Sequence, residues 1–237
     1  MDKITLANSI TTKDDSNILT VGSCRTGKTR YFVKPNLLTI KDSVIIIGRK
    51  DDKLSEDTAE YRKENFKQKI FTNKDFTKDK KNLDFLGDDY TVYLTASVID
   101  IRERLLLLRY DFNWIMYHLN NKPPKKPVTI IIDDLSLFPI CAYHFIPKID
   151  NLRIIAIVQS IHEIIRYDKN PEETLNLFPV KVFFGVPEQY DVQYIIHKYD
   201  NEYNKKIPTE EIMQLPINER IIFGVDKNNP IHGYYKR

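Results

Sequence analysis

One run of eight residues near the N-terminus constrains the fold of this chain more than any other feature. Residues 22–29 have the form Gly-x-x-x-x-Gly-Lys-Thr. They follow a short apolar segment, 17–21, which predicts a buried strand, and they precede segment 29–40, which predicts a helix that Pro35 bends or ends. A glycine-bearing turn between a strand and a helix is the context in which this pattern binds the phosphates of a nucleotide.

The chemistry of this loop, a P-loop, predicts binding of ATP with Mg²⁺. Glycines let the backbone wrap so that successive N–H groups face the phosphates, and the helix N-terminus adds its positive end. Lys28 is expected to reach the β- and γ-phosphates, and the Thr29 hydroxyl to bind Mg²⁺. An ordinary glycine-bearing turn is the alternative. The predicted nucleotide-binding residues are Gly22, Ser23, Cys24, Arg25, Thr26, Gly27, Lys28, Thr29 and Arg30.

An acidic pair follows the apolar segment 128–132, which predicts another buried strand. Asp133 is expected to lie beside the predicted metal, because a carboxylate at the end of such a strand supports Mg²⁺ in P-loop enzymes. Asp134 is the predicted catalytic base that orients the attacking water, although its side chain is one methylene shorter than the glutamate usual at that place. The predicted metal ligands are Thr29 and Asp133.

A third element is the apolar segment 154–158, which ends at Gln159. A polar residue at the tip of a strand beside the loop can sense the γ-phosphate or hold the attacking water. The alternative is an ordinary helix-start residue, with Ser160 as the N-cap. The predicted catalytic residues are Lys28, Asp133, Asp134 and Gln159.

The remaining pattern predicts an α/β fold with a mostly parallel central sheet flanked by helices. Continuously apolar segments alternate with segments of helical character, as expected for strands buried on both faces. We expect residues 1–237 to form a single nucleotide-binding domain, with polar residues 1–17 on the surface and a linker at 73–89. The further predicted strands are 44–47, 69–71, 91–94, 180–184 and 221–223, and the further helices are 53–67, 99–119 and 190–199.

The composition of the chain limits which cellular compartment and which partners are expected. The two cysteines, Cys24 and Cys141, are too few for a disulfide framework, which indicates a reducing compartment. No run of 18 apolar residues and no signal peptide occur, so we expect a cytoplasmic protein without a membrane span of its own. The net charge of +3 permits contact with nucleic acid without arguing for it.

With these motifs in this order, the chain resembles the nucleotide-binding domain of type IV coupling proteins. These are TraG-like P-loop ATPases of conjugative DNA transfer and type IV secretion, related to the FtsK and HerA translocases. The resemblance covers nearly the whole chain. Similar segments are 28–37 with its Lys-Pro-Asn, 131–134 against the family's Leu-Asp-Glu-Phe, 158–160 against Leu-Gln-Ser, and 208–216 against Thr-Pro-Glu-Glu-Ile-Met-x-Leu-Pro; segment 46–52 keeps only Lys50 and Asp52 of the family's Asp-Pro-Lys-Gly-Glu.

The resemblance implies a RecA-like P-loop NTPase that hydrolyses ATP, with stimulation by DNA, to translocate or deliver DNA or nucleoprotein. It implies binding of single- or double-stranded DNA and a homo-oligomer, a hexamer in related motors. This chain looks like a minimal form without the family's transmembrane helices and all-alpha domain, of which 73–89 is the remnant. A membrane-anchored secretion or relaxosome partner would then hold it at the inner face of the membrane.

The family also implies an arginine finger that acts across a subunit boundary. Arg153 and Lys148 are the candidates here, with a solvated surface charge as the alternative for each. The tail 234–237 is either a contact for bases and phosphates or a frayed terminus.

Two other functions stay open. An ATP-binding regulatory or assembly subunit with weak hydrolysis is favoured by Asp134 and by the divergent segment 46–52. A small-molecule phosphotransferase ranks last, because no arginine-rich lid segment is present.

Overall fold

A computed structural model describes residues 1–7, 10–12, 16–49, 53–72, 89–96, 101–133, 149–167, 170–185, 188–226 and 228–234. The strands are β1 (Thr5–Ala7), β2 (Ile10–Thr11), β3 (Ile18–Val21), β4 (Ser43–Arg49), β5 (Lys69–Thr72), β6 (Tyr90–Ala96), β7 (Val128–Asp133), β8 (Leu152–Val158), β9 (Val180–Phe184), β10 (Glu219–Phe223) and β11 (Ile231–Tyr234). A π-helical turn, Thr29–Val33, runs into the first α-helix. The α-helices are α1 (Lys34–Leu37), α2 (Leu54–Phe66), α3 (Ile101–Asn121), α4 (Ile161–Tyr167), α5 (Pro171–Asn176), α6 (Gln189–Tyr203) and α7 (Thr209–Met213).

The described strands build a nine-stranded sheet in the order β11-β10-β9-β3-β8-β7-β4-β6-β5. All strands from β9 to β5 in that order run parallel, while β10 is antiparallel to both β9 and β11. Strands β1 and β2 form a separate antiparallel pair. The predicted mostly parallel sheet is therefore confirmed.

Both faces of the sheet are buried, which explains why the central strands carry apolar residues on both faces and do not alternate with polar ones. Along β7, Ile130 and Ile132 belong to a core beneath α3 to α7, whereas Ile131 faces the opposite core. The opposite core is formed by β1, the π-helical turn, α1 and α2, through Leu6, Phe32, Leu37 and Leu54 among others. The predicted strands and long helices all appear, with ends shifted by a few residues.

The helix after the Gly22–Thr29 loop changes its winding at Pro35, as expected from the missing proline N–H. In an α-helix the Tyr31 carbonyl would accept a hydrogen bond from residue 35. The buried Arg220 guanidinium of β10 donates to this carbonyl instead, at 3.0 Å, and its other terminal nitrogen donates to the Leu6 carbonyl. The start of this helix is thus joined to β10 and to the N-terminal strand.

The prediction that residues 1–17 lie on the surface is wrong for four of the described residues, Ile4, Leu6, Ala7 and Thr12, which are buried. Ile4, Leu6 and Ala7 are fully buried over the helix that follows the loop. Asn36 holds this segment in place, because its amide accepts from Thr5 N at 2.8 Å and donates to Thr5 O at 2.9 Å. The many polar residues around these few apolar ones hid the strand.

The structure also corrects the prediction for Arg153. This residue was expected to be an arginine finger or a solvated charge, but its side chain is fully buried near the start of β8 and donates to the Asp2 carbonyl at 2.7 Å. Gln159 follows the opposite end of the same strand, so Arg153 lies at the far edge of the sheet from the loop. A buried guanidinium that binds a backbone carbonyl at that edge is a structural group.

The C-terminal tail begins later than predicted, since Tyr234 pairs with Glu219 between β11 and β10. Several predictions fall outside the described residues: Asp134, Cys141, Lys148, Lys50 and Asp52, the 73–88 part of the linker, and residues 235–237.

Among the described helices, none combines the length and the hydropathy needed to cross a bilayer.

Asn36 provides a stability test of the N-terminal packing. We expect Asn36→Ala to lower the free energy of unfolding by about 2–3 kcal/mol, because it removes the partner of the partly buried backbone groups of Thr5 and of the buried Phe32 carbonyl. Urea denaturation measures the change. Asn65→Ala removes only a bond to Tyr61 O on an exposed helix face, and should cost less than about 0.5 kcal/mol. Equal losses in the two variants would contradict the role given to Asn36.

Candidate nucleotide-binding site

The candidate site lies where three parallel strands end at the same edge of the sheet. The Gly22–Thr29 loop follows β3, Gln159 follows β8, and Asp133 is the last residue of β7. Strand β8 pairs with both β3 and β7, so the glutamine stands between the loop and the acidic residue. This strand order brings together residues that are far apart in the chain.

The loop has the backbone shape that its glycines predict. Gly27 has φ +84°, and a Cβ atom there would lie only 2.7 Å from Cε2 of Tyr31. A Cβ at Gly22 would lie 2.8 Å from Cβ of Phe184, so the loop passes close to β9. Arg25 also adopts a left-handed conformation, with φ 64°. The loop is tied to the neighbouring strand by Gly22 N, which donates to Val158 O at 3.2 Å.

Lys28 extends over this loop. Its ammonium donates to the carbonyl of Gly22 and, at 2.9 Å, to the carbonyl of Ser23. The hydroxyl of Thr26 donates to the same Ser23 carbonyl at 2.9 Å, which closes the turn from within. The positive charge of Lys28 is therefore held against backbone oxygen atoms of the loop.

The Thr29 hydroxyl donates a hydrogen bond to Oδ2 of Asp133 at 3.1 Å. Asp133 is 8% exposed, and the neighbouring strand β4 leaves room for it because residue 48 is glycine: a Cβ there would lie 3.0 Å from Cβ of Asp133. Hydroxyl and carboxylate oxygens are the ligands that Mg²⁺ prefers, with phosphates and waters completing its shell. These two residues therefore fit the magnesium site that the sequence predicts.

Gln159 lies beside the loop, where its Oε1 accepts a hydrogen bond from the Cys24 thiol at 3.1 Å. Its backbone N–H is capped by Glu163 Oε2 at 3.1 Å. The amide group is thereby placed at the border between the loop and the strand that ends at Val158.

An open cavity of about 460 Å³ joins these groups. It is lined by Cys24, Arg25, Gly27, Lys28, Thr29, Arg30, Asp133, Ile157, Val158 and Gln159. Of the predicted binding residues, Gly22, Ser23 and Thr26 shape the loop without lining this cavity. Lys28, Thr29, Asp133 and Gln159 all face it, and the cavity therefore has a lysine, a metal-type oxygen pair and a polar amide around one volume.

One buried acid beside the site was missed at the sequence level. Asp191, at the first turn of α6, accepts from Ser160 Oγ at 3.0 Å and from Ile161 N at 2.8 Å, and so holds the chain directly after Gln159. Burial raises the pKa of this carboxyl from 3.8 to about 6, although the hydrogen bonds from Ile161, Ser160 and Glu188 act in the opposite direction. Its capping-box spacing after Glu188 was the available signal.

Comparison with known proteins gives a family and a fold. The family model for type IV secretory system conjugative DNA transfer matches residues 5–126, more than half of the 237-residue chain. No curated protein sequence matches.

Three solved structures with a similar fold are distant from this chain in sequence. The unbound monoclinic form of the bacterial conjugative coupling protein TrwBdeltaN70 has 12% identity, coverage of 99% of this chain and 88% of that chain, and a TM-score of 0.72. TrwB with the non-hydrolysable ATP analogue ADPNP has 11% identity, coverage of 93% and 85%, and a TM-score of 0.63. VirB4 of Thermoanaerobacter pseudethanolicus has 10% identity, coverage of 93% and 89%, and a TM-score of 0.60. The predicted RecA-like P-loop fold is confirmed.

Asp191 predicts a specific pH dependence of stability. Because its folded pKa is raised, the folded chain holds the proton more tightly than the unfolded chain, and this carboxyl's contribution to the free energy of unfolding falls as pH rises from about 4 to about 6. The Asp191→Asn side chain cannot titrate. It loses the hydrogen bond that Glu188 N donates to Oδ2 of Asp191, and the energetic cost of this loss does not vary with pH. The stability of wild type relative to this variant should therefore fall by about 2 kcal/mol over that range.

Urea denaturation at several pH values measures the difference. Asp200→Asn, on the exposed side of the same helix, is the matched control. A difference between wild type and Asp191→Asn that stays constant from pH 4 to 7 would contradict the prediction.

Proposed function

The chain belongs to the type IV secretory system conjugative DNA transfer family, and we propose that it is an ATP-hydrolysing motor of the coupling type. Residues 1–237 would act as a single nucleotide-binding domain, with MgATP held by the loop from Gly22 to Thr29. The observation that carries the proposal is that Lys28, Thr29, Asp133 and Gln159 face one cavity at the edge of a parallel sheet. Phosphoryl transfer relies on positioning and on charge stabilisation, and this arrangement supplies both.

Each residue would have a distinct role in hydrolysis. The Lys28 ammonium would leave the loop carbonyls for the β- and γ-phosphate oxygens, where negative charge is carried through the transition state. Thr29 and Asp133 would hold Mg²⁺, which neutralises phosphate charge when bound. Gln159 would orient the attacking water with its amide oxygen, and Asp134, next in the chain to Asp133, would accept the water's proton as the γ-phosphate leaves ADP.

The partners follow from the family. We propose single- or double-stranded DNA as the polymer that is moved and as a stimulator of turnover. A homo-oligomer, such as a hexamer, would place ATP at the boundaries between subunits, and a membrane-anchored secretion or relaxosome protein would hold this ring at the cytoplasmic face of the membrane. The family's description, conjugative DNA transfer, supports the choice of DNA as the polymer.

A regulatory or assembly subunit that binds ATP and hydrolyses it weakly is the second candidate. Asp134 favours it, because its side chain is one methylene shorter than the glutamate usual at that place in the family. The two candidates share the same binding site and differ in turnover.

Phosphate release from purified protein separates them. We expect magnesium-dependent turnover that single-stranded DNA increases, and we expect Lys28→Ala to lower kcat/KM by on the order of 100-fold, because it removes a charge aimed at the transition state. Lys63→Ala, which removes an exposed lysine on α2, is the matched control and should retain wild-type turnover.

The other outcomes of this assay are equally informative. Tight ATP binding with negligible turnover would favour the regulatory subunit, and turnover only with an added acceptor molecule would favour a phosphotransferase. A chain that stays monomeric with and without ATP would argue against the ring, as judged by light scattering.

A further inference from the structure

We propose that Asp191 is a positioning residue for ATP hydrolysis, because it fixes the backbone segment that carries Gln159. This inference rests on the proposed function, in which Gln159 orients the attacking water. Asp191 is fully buried and does not line the cavity beside the loop, so it has no direct contact with a ligand bound there. Its effect on turnover has to pass through the residues that it holds.

The position of Gln159 is not set by the sheet. The last residue of β8, Val158, pairs with Val21 of β3, and among the described strands no pairing continues past it. The ladder between β8 and β7 ends one residue earlier. The place of the Gln159 amide in the cavity therefore depends on the contacts that residues 159–163 make with each other and with neighbouring helices.

Two carboxylates hold the segment that follows β8. The N–H of Gln159 donates to Oε2 of Glu163 at 3.1 Å, and the N–H of Ile161 donates to Oδ1 of Asp191 at 2.8 Å. The hydroxyl of Ser160 donates to the same Oδ1 at 3.0 Å. Each of these three consecutive residues thus has a hydrogen bond to a carboxylate, and two of the three go to Asp191.

Asp191 is the carboxylate that ties this segment to another part of the fold. Glu163 belongs to α4 itself, so its bond moves with that helix. Asp191 belongs to α6, a helix of 15 residues whose Ile195 and Tyr199 are buried in the core. The far end of α6 is joined to β11, because the Tyr199 hydroxyl lies 2.6 Å from Nε2 of His232. The start of α4 is therefore fastened to a helix that is itself well fixed.

The charge of Asp191 makes this attachment stronger. Burial raises its pKa to about 6, so the carboxylate is ionised at pH 8. Hydrogen bonds to an ionised acceptor are stronger than those between neutral groups. Its second oxygen, Oδ2, accepts from Glu188 N at 3.2 Å, which holds the carboxylate itself in one orientation.

Loss of this attachment should affect the chemical step more than ATP binding. A displacement of about 1 Å at a group that orients a reactant can lower the rate on the order of 100-fold. In the proposed function ATP is held by the loop, and neither the loop nor Lys28 is bonded to Asp191 in the structure. The value of kcat is therefore the quantity that should respond.

Steady-state phosphate release at pH 8 tests the assignment. We expect Asp191→Ala to lower kcat about tenfold and to leave KM for ATP within about twofold of wild type. Asp191→Asn keeps an oxygen that can accept from Ser160 and Ile161, so its kcat should stay within about threefold of wild type. Asp200→Ala, on the exposed side of the same helix, is the matched control and should change neither constant.

A double-mutant cycle with Gln159→Ala separates positioning from a general loss of stability. In the Gln159→Ala background, Asp191→Ala should lower kcat by less than about twofold, because the residue through which it acts is already gone. Ser160→Ala is a milder change for which the same pattern is expected, with kcat about threefold lower in wild type and unchanged in the Gln159→Ala background. Circular dichroism checks that each variant is folded under the assay conditions.

Three results would overturn the positioning role and leave the proposed function standing. These are an equal loss of kcat in both backgrounds, a rise in KM as large as the fall in kcat, and wild-type turnover in Gln159→Ala. Wild-type protein that releases no phosphate from ATP would instead overturn the proposed function, and this role with it.

Discussion

A hydrogen bond between Thr29 and Asp133 joins residues 104 positions apart, and the candidate site depends on it. It forms because β3, β8 and β7 are neighbours that run in the same direction, so their carboxyl ends meet at one edge. Parallel neighbours need crossover connections, and these bury both faces of the sheet. The distance between a hydroxyl and a carboxylate is thus set by the architecture as a whole.

The loop is supported from behind by buried polar groups. Asn36 binds the backbone of Thr5, and Arg220 binds the carbonyls of Leu6 and Tyr31, so the N-terminal strand, the helix after the loop and β10 form one connected body. Gly48 lets Asp133 lie close to β4. These hydrogen bonds matter for stability, because a buried polar group that lost its partner at the same place would lower the free energy of unfolding.

The sequence was most informative where the signal was local or continuous. The loop pattern is fixed by the spacing of Gly22, Gly27 and Lys28, and β7 by an unbroken apolar run, so both could be predicted without knowledge of their neighbours. The partnership of β7 with the loop was inferred from the role that a carboxylate at a strand end has in P-loop enzymes. Strand β1 could not be predicted in this way, since its two buried apolar residues stand among polar ones.

The sequence analysis failed mainly in predicting which charged residues are buried. Arginine is usually exposed, and the sequence does not show that distant carbonyls enclose Arg153 and Arg220. The capping-box spacing of Asp191 after Glu188 marks a helix start, but it does not show that Ser160 and Ile161 also donate to this carboxylate. Long-range satisfaction of polar groups has no local signature.

Arg25 illustrates how stability and charge can make opposite demands on one position. Its left-handed backbone, with φ 64°, costs an ordinary residue roughly 1–2 kcal/mol, whereas glycine adopts it freely. Glycine at this position would relax the turn but would remove the guanidinium of a residue that borders the cavity beside the loop. The chain thus carries a conformational penalty at a position between two glycines where the residue borders that cavity.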